Sequence, residues 1–294
     1  DRLRRPAHAG GGPVTALVAA ARSRRPRALP VRPRAFAAMV GVTIVGVGAF
    51  TWPLVLGFHG GQSAHAHDAP WIFLLVLPLL LLVVAAEIAD GGMDAKAVAL
   101  LGILSGISAL LRPLTGGLTG VQLMFFLLVP AGRVFGPGFG FVLGNVAMFA
   151  SAVLTGGGGP WLPFQMLAAG WVGLGAGLLP RARGRAELVL LAAYGMVAGI
   201  AYGFVLNLWF WPFGTSNTGA SAAVTFVPDA PLVENLQRWL AFSLSTSLGF
   251  DIPRGVATAV AILVIGRPVL LALRRASRRA AFEAPVSFDP PDAP

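Results

Sequence analysis

Few residues of this chain carry reactive or strongly polar side chains, and those few gather in short stretches. Residues 155–170 read TGGGGPWLPFQMLAAG, four successive glycines leading into Pro-Trp-Leu-Pro-Phe-Gln. A glycine run can cradle a phosphate, but a P-loop needs G-x-x-x-x-G-K-[ST]. No Lys follows Gly159, and the only lysine in the chain is Lys96. A dinucleotide fingerprint needs a strand before the glycines and a βαβ unit around them, and an all-helical chain supplies neither. The chemistry of this stretch therefore falls to Trp161, Phe164 and Gln165, with the glycines as a hinge for a gate.

Carboxamides and aromatics recur elsewhere. Asn145 and Asn207 lie in apolar segments, where a carboxamide wants a partner; each either bonds a neighbouring helix or faces a polar ligand. Trp209, Phe210 and Trp211 end one apolar segment, and the following stretch adds Asn217, Asn235, Gln237 and Trp239. Residues 250–255 read FDIPRG, with Asp251 and Arg254 at i, i+3. That spacing lets the two pair with each other; the alternative makes them the floor or wall of a site. An aromatic-lined cleft with a few amides and one ion pair suits an organic solute of vitamin size. Trp161 by itself also fits an interfacial aromatic anchor.

His59, His65, His67 and Asp68 fall within ten residues, HGGQSAHAHD. Imidazoles and a carboxylate are metal-ligand chemistry, but the spacing matches no defined site, and solvated histidines are the alternative. Catalysis finds little support: there is no G-x-S-x-G, no H-E-x-x-H and no paired carboxylate inside an apolar segment. Glu87 reads as the only carboxylate well inside such a segment, where it either relays protons or snorkels. The chain is not expected to be an enzyme or to carry a cofactor.

These residues have to be held by membrane helices. Of 294 residues 56% are hydrophobic and 12% charged, with mean hydropathy +0.75, against about a quarter charged in soluble proteins. Eight apolar segments approach the roughly 20 residues that span a hydrocarbon core: 35–57, 71–89, 95–111, 120–133, 136–154, 161–180, 187–211 and 250–273. The chain is thus expected to be an all-α integral membrane protein of about eight transmembrane segments. It has no cysteine, and so no disulfide framework.

The net charge of +10 would suggest a nucleic-acid partner in a soluble chain, but the positions of the arginines explain it better. Nine lie in the first 34 residues, three at Arg181, Arg183 and Arg185, and five between Arg267 and Arg279. Alternate crossings from a cytoplasmic N-terminus put all but Arg112, Arg238 and Arg254 on the inner side, which is the positive-inside bias. The connections 58–70, 112–119, 155–160 and 212–249 then face outward, and both termini are cytoplasmic. Residues 1–34 lack an apolar h-region and read as a disordered basic tail, and 276–294 as a second cytoplasmic tail.

Two segments stand out. Segment 120–133 is short, with Pro113, Pro130 and Pro137 around it, and suits a half-helix or irregular piece lining a cavity. Segment 95–111 carries Ala95, Ala99, Gly102, Gly106 and Ala109 along one helical stripe. Small residues at this spacing allow close helix approach, either within the chain or against a partner subunit.

From about Ala95 to Arg275 the chain resembles the substrate-binding S components of energy-coupling factor (ECF) vitamin importers. The resemblance rests on the stripe ending in Leu111-Arg112-Pro113 and a segment through Val121-Gln122. It continues in AGRVFGPGFGFVLGNVAMFASAVLTG (131–156), GPWLPFQMLAAGWVGLGAGLLP (159–180), AYGFVLNLWFW (201–211) and FDIPRG (250–255). It implies a six-helix core over 91–275 that captures a micronutrient on the outer face of a bacterial plasma membrane. It also implies association with a transmembrane coupling protein and two cytoplasmic ATPases, which would explain the missing nucleotide motif. Ala95, Ala99, Gly102 and Gly106 would form the coupling surface. The substrate set would be Gln122, Asn145, Trp161, Phe164, Gln165, Asn207, Trp211, Asp251 and Arg254.

Within that family the GPW-x-PFQM block is most similar to cobalamin-type members, for which the outer histidines would suit a corrinoid cobalt. The departure from the usual core is the N-terminal pair of spans over 35–90, whose role stays open. A stand-alone proton- or ion-coupled transporter using Glu87 or Asp251 is the main alternative. It would be expected to show inverted repeats, and no convincing internal symmetry is visible. A membrane scaffold with no ligand is a third.

Overall fold

The computed structural model describes residues 33–55, 95–114, 120–214 and 221–280, with isolated positions between Pro78 and Met93. The described residues form helices α1 (Pro33–Val55), α2 (Ala95–Leu114), α3 (Met124–Phe135), α4 (Pro137–Thr155) and α5 (Leu162–Leu178). Helices α6 (Arg185–Gly214), α7 (Leu232–Phe242) and α8 (Leu248–Ala280) follow, the last two joined by a π-helical turn, Ser243–Ser247. There is no strand among them. Among the described residues, five helical stretches are long and apolar enough to cross a bilayer: Phe36–Val55, Ala95–Pro113, Pro137–Thr155, Arg185–Gly214 and Leu232–Arg278. The chain is a multi-pass membrane protein. The expected segment 71–89 and Glu87 fall almost wholly outside the described residues, as do His59, His65 and His67.

Glycine decides how closely the helices approach. A Cβ on Gly140 would run into the Gly173 carbonyl, one on Gly173 into that of Gly140, and one on Gly144 into Ala169. Backbones of α4 and α5 therefore touch, as small residues permit in lipid. A second seam runs along Gly195, Gly199 and Gly203 of α6, a G-x3-G-x3-G spacing. These three lie against Thr258, Gly255 and Asp251 of α8 in turn. The α3–α4 turn is Gly136 at φ 102 with Pro137 opening the next helix, a backbone region open essentially to glycine.

Helix α3 has twelve residues, about 18 Å at 1.5 Å per residue, short of the roughly 30 Å hydrocarbon core. All of it except Arg133 is buried, so its neighbours enclose it. The first N-terminal span docks onto the core: Phe50 packs on Phe164 and Trp171, and Trp171 Nε1 donates to Thr43 Oγ1 at 3.1 Å.

Three expectations need correction. Residues 212–249 are not simply a connecting loop, because α7 and the π turn occupy 232–247. Glu234 and Arg238 on α7 dilute the hydropathy of an amphipathic helix, so no apolar run marks it. The last helix runs on past 273 to Ala280 because its arginine-rich end remains helical. Glu87 is not the only carboxylate to consider among the apolar helices: Glu187 and Asp251 are both buried.

Candidate functional site

The bundle has two unlike ends. One carries Arg133, residues 179–185 and Arg274, Arg275 and Arg278. Here Glu187 is buried and binds Arg133 Nε at 3.0 Å and Arg274 at 2.7 and 2.8 Å through its two oxygens. Arg133 also donates to the carbonyl of Leu179 at 2.8 Å, beyond the end of α5. One carboxylate thus ties α3, α6 and α8 together, its desolvation offset by two guanidinium groups.

The other end holds two adjoining clefts. The first, about 320 Å³, is lined by Trp161, Gln165, Leu206, Asn207, Trp209 and Phe210. The second, about 350 Å³, is lined by Arg112, Pro113, Gly120, Val121, Gln122, Thr155, Gly157 and Trp161. Trp161 borders both, and the residue is 41% exposed. Its Nε1 donates to the Gly157 carbonyl at 3.3 Å, so the glycine stretch folds back on the ring. Trp161 and Gln165, four residues apart, share a cleft because Trp161 caps the start of α5 and Gln165 follows about one turn later.

Polar groups behind the clefts are tied across the bundle. Arg112 donates to Gln165 Oε1 at 3.2 Å, joining the end of α2 to α5. Asp251 and Arg254 do pair, at 2.7 Å, and both are buried. Arg254 also donates from Nε to Gln122 Oε1 and from a terminal nitrogen to the Gly199 carbonyl, both at 3.1 Å. Its guanidinium carbon lies 5.2 Å from the centre of the Tyr202 ring, and Tyr202 is within electrostatic reach of Arg112 as well. Ser247 donates to Asp251 Oδ2, and Asn207 donates to Ser243 Oγ at 3.1 Å. The π turn presents both serines to these partners, a placement that π-helical turns often take at functional sites.

Thus Gln122, Trp161, Gln165 and Asn207 line the clefts, while Asp251 and Arg254 stand behind Gln122 as its buried support. Three other expected site residues lie elsewhere. Asn145 is wholly buried in the α4–α5 seam, donates to the Phe141 carbonyl at 2.8 Å and lines neither cleft. Phe164 is core, with its ring 5.6 Å from that of cleft-lining Trp209. Trp211 is fully buried beside Phe226, with Nε1 donating to the Val224 carbonyl at 2.6 Å; it anchors the segment before α7.

Arg112 was missing from the expected site. The sign was present: it is one of very few arginines away from the basic clusters, and buried or cleft-facing charge in a membrane protein marks function. The G-x3-G-x3-G run of α6 was the other missed signal. A Cβ at Gly203 would collide with the Asp251 carboxylate, so that glycine makes room for the ion pair.

The stripe of α2 is open. Ala95, Ala99 and Gly102 are exposed, and a Cβ on Gly102 or Gly106 would meet nothing within 4 Å. Only Ala109, at the cleft end of the stripe, is buried.

Glycine-seamed helices around a short buried helix, with a polar-backed cleft at one end, define a membrane protein built around a site at one mouth of its bundle. The chain belongs to the family of ECF transporter substrate-specific components, whose model matches residues 96–266, more than half its length. No curated protein and no solved structure matches it. The family match begins at the start of α2 and leaves α1 outside it.

Proposed function

We propose that the chain is the solute-capturing subunit of an ATP-dependent importer, with the clefts facing outward and the arginine-rich end in the cytoplasm. The observation that carries this reading is the convergence of Arg112, Gln122, Gln165 and Asn207 around Trp161 at the mouth opposite the basic clusters. A few fixed polar groups beside aromatic rings suit a vitamin-sized organic solute. The open stripe Ala95, Ala99, Gly102 and Gly106 is the surface for a transmembrane coupling protein, because lipid-facing small residues admit a second helix closely. Cytoplasmic ATPases then supply the energy.

A corrinoid is the first solute to try, given the GPW-x-PFQM block. Cobalamin binding to the purified full-length chain, read by optical absorbance, tests that choice. Equal binding after His59, His65 and His67 are all changed to Ala would remove those histidines from it.

The broader reading is tested by transport. Uptake that requires the coupling protein and ATPases supports it; uptake by the chain alone in proteoliposomes, driven by a proton or sodium gradient, would favour a secondary transporter. Asp251 is a poor coupling group for that alternative, since Arg254 and Ser247 already hold it.

A further inference from the structure

Resting on the reading of the clefts as a solute site, we infer that Gln122 and Gln165 are fixed hydrogen-bond donors, and that the solute presents carbonyl oxygens on both sides of Trp161. A carboxamide carries an acceptor oxygen and a donor NH2 group, and left to itself it turns either one toward a ligand. A guanidinium removes that freedom, because it has five N–H donors and no acceptor. Gln165 Oε1 accepts from a terminal nitrogen of Arg112 at 3.2 Å, and Gln122 Oε1 accepts from Arg254 Nε at 3.1 Å. Turning either amide over would set NH2 against N–H, and an unpaired donor away from water costs its desolvation.

Both arginines are themselves held. Arg254 pairs with Asp251 at 2.7 Å and reaches the Gly199 carbonyl, and Arg112 makes a further contact of its own. The placement of the glutamines agrees with this direction. Gln165 lines the first cleft while Arg112 lines the second; Gln122 lines the second while Arg254 lines neither. Among the described residues neither glutamine makes another hydrogen bond, so each cleft receives an NH2 group. Asn207 differs, because its partner Ser243 has a hydroxyl that both donates and accepts, and this fixes no direction. Trp161 has its Nε1 turned to the Gly157 carbonyl and offers the solute its ring. Amide, urea and imide carbonyls meet these donors, and the amide arms of a corrinoid are among them.

Native mass spectrometry of the full-length chain in lipid nanodiscs, with melting temperature alongside, tests this. It identifies any solute carried through purification and measures capture of cobalamin, biotin, riboflavin and thiamine; the first three carry amide, urea or imide carbonyls and thiamine carries none. Q122E and Q165E keep the oxygen that each arginine needs, in a charge-assisted bond, and replace the NH2 group with an acceptor. The wild-type chain should capture one of the first three. Each variant should weaken that capture about tenfold or more while melting no earlier than wild type. A carried-through solute without carbonyls, a preference for thiamine, or undiminished capture by Q122E and Q165E would overturn the inference and leave the solute-binding reading intact. Capture lost in Q122M and Q165M but kept in Q122E and Q165E would do the same, by reducing the glutamines to props for the arginines. A chain that captures none of the four and carries nothing through purification would overturn both. The wild-type preference decides the matter even if the variants fail to insert.

Discussion

The ring of Phe50 stands edge-on to the ring of Phe164, with centroids 4.9 Å apart and planes at 69°. Phe164 in turn lies against Trp209, a wall of the first cleft. A helix outside the family match therefore supports the site through two rings, which gives the first N-terminal span a structural role in the core.

Replacing Phe50 with Ala should loosen that support. In a soluble core such a truncation costs about 3–5 kcal/mol, and the cost here should be smaller because lipid tails solvate the exposed ring. We expect a lower melting temperature in nanodiscs together with weaker solute capture. Unchanged capture in a destabilised F50A would separate α1 from the site.

The two kinds of small-residue surface should respond in opposite ways. G140A and G173A press a methyl group into a facing carbonyl and should reduce the yield of folded protein sharply. G102L has open space and should leave folding and solute capture near wild type while abolishing co-purification with the coupling protein. A G102L chain that still assembles would dismiss the stripe as the coupling surface.

Glu187 should be intolerant of neutralisation. E187Q leaves Arg133 without its carboxylate in a site where Arg133 is 10% exposed, and breaking a buried pair costs about 3–5 kcal/mol. Arg274, at 34%, contributes the lesser share because water reaches it. The combined variant R133M/E187L should recover much of the loss, read as thermal stability. Failure to recover would mean that the carbonyl bonds of Arg133 outweigh the pair.

Single substitutions divide the glycine stretch by position. Gly158 has open space around a new Cβ, whereas a Cβ on Gly159 would strike the Trp161 indole. Gly156 caps α4 in the left-handed region, φ 62, where a side chain costs roughly 1–2 kcal/mol. G158A should be silent, G156A should lower stability, and G159A should change solute on- and off-rates by displacing Trp161. Stopped-flow fluorescence of the tryptophans measures those rates, and a G159A chain with wild-type rates would argue against a gate at this stretch.

Sequence alone was enough to establish the membrane class, because apolar length and the clustering of arginines are set by the bilayer and not by packing. It was also enough for contacts within one helical turn, such as Asp251 with Arg254 and the shared cleft of Trp161 and Gln165, since 3.6 residues per turn dictates them. Contacts between distant segments were not legible in this way. Arg112 meets Gln165 across 53 positions and Arg254 meets Gln122 across 132, and no local period reports such pairings. Helix rotation was hidden too. Trp209 lines the cleft and Trp211 is buried beside Phe226, two residues that point to opposite sides of α6. The contact of Gly195, Gly199 and Gly203 with α8 fixes that rotation, as Gly140 and Gly144 turn Asn145 into the α4–α5 seam. Spacing names the residues a helix can present on one face, whereas only packing against a second helix determines which face looks into the site.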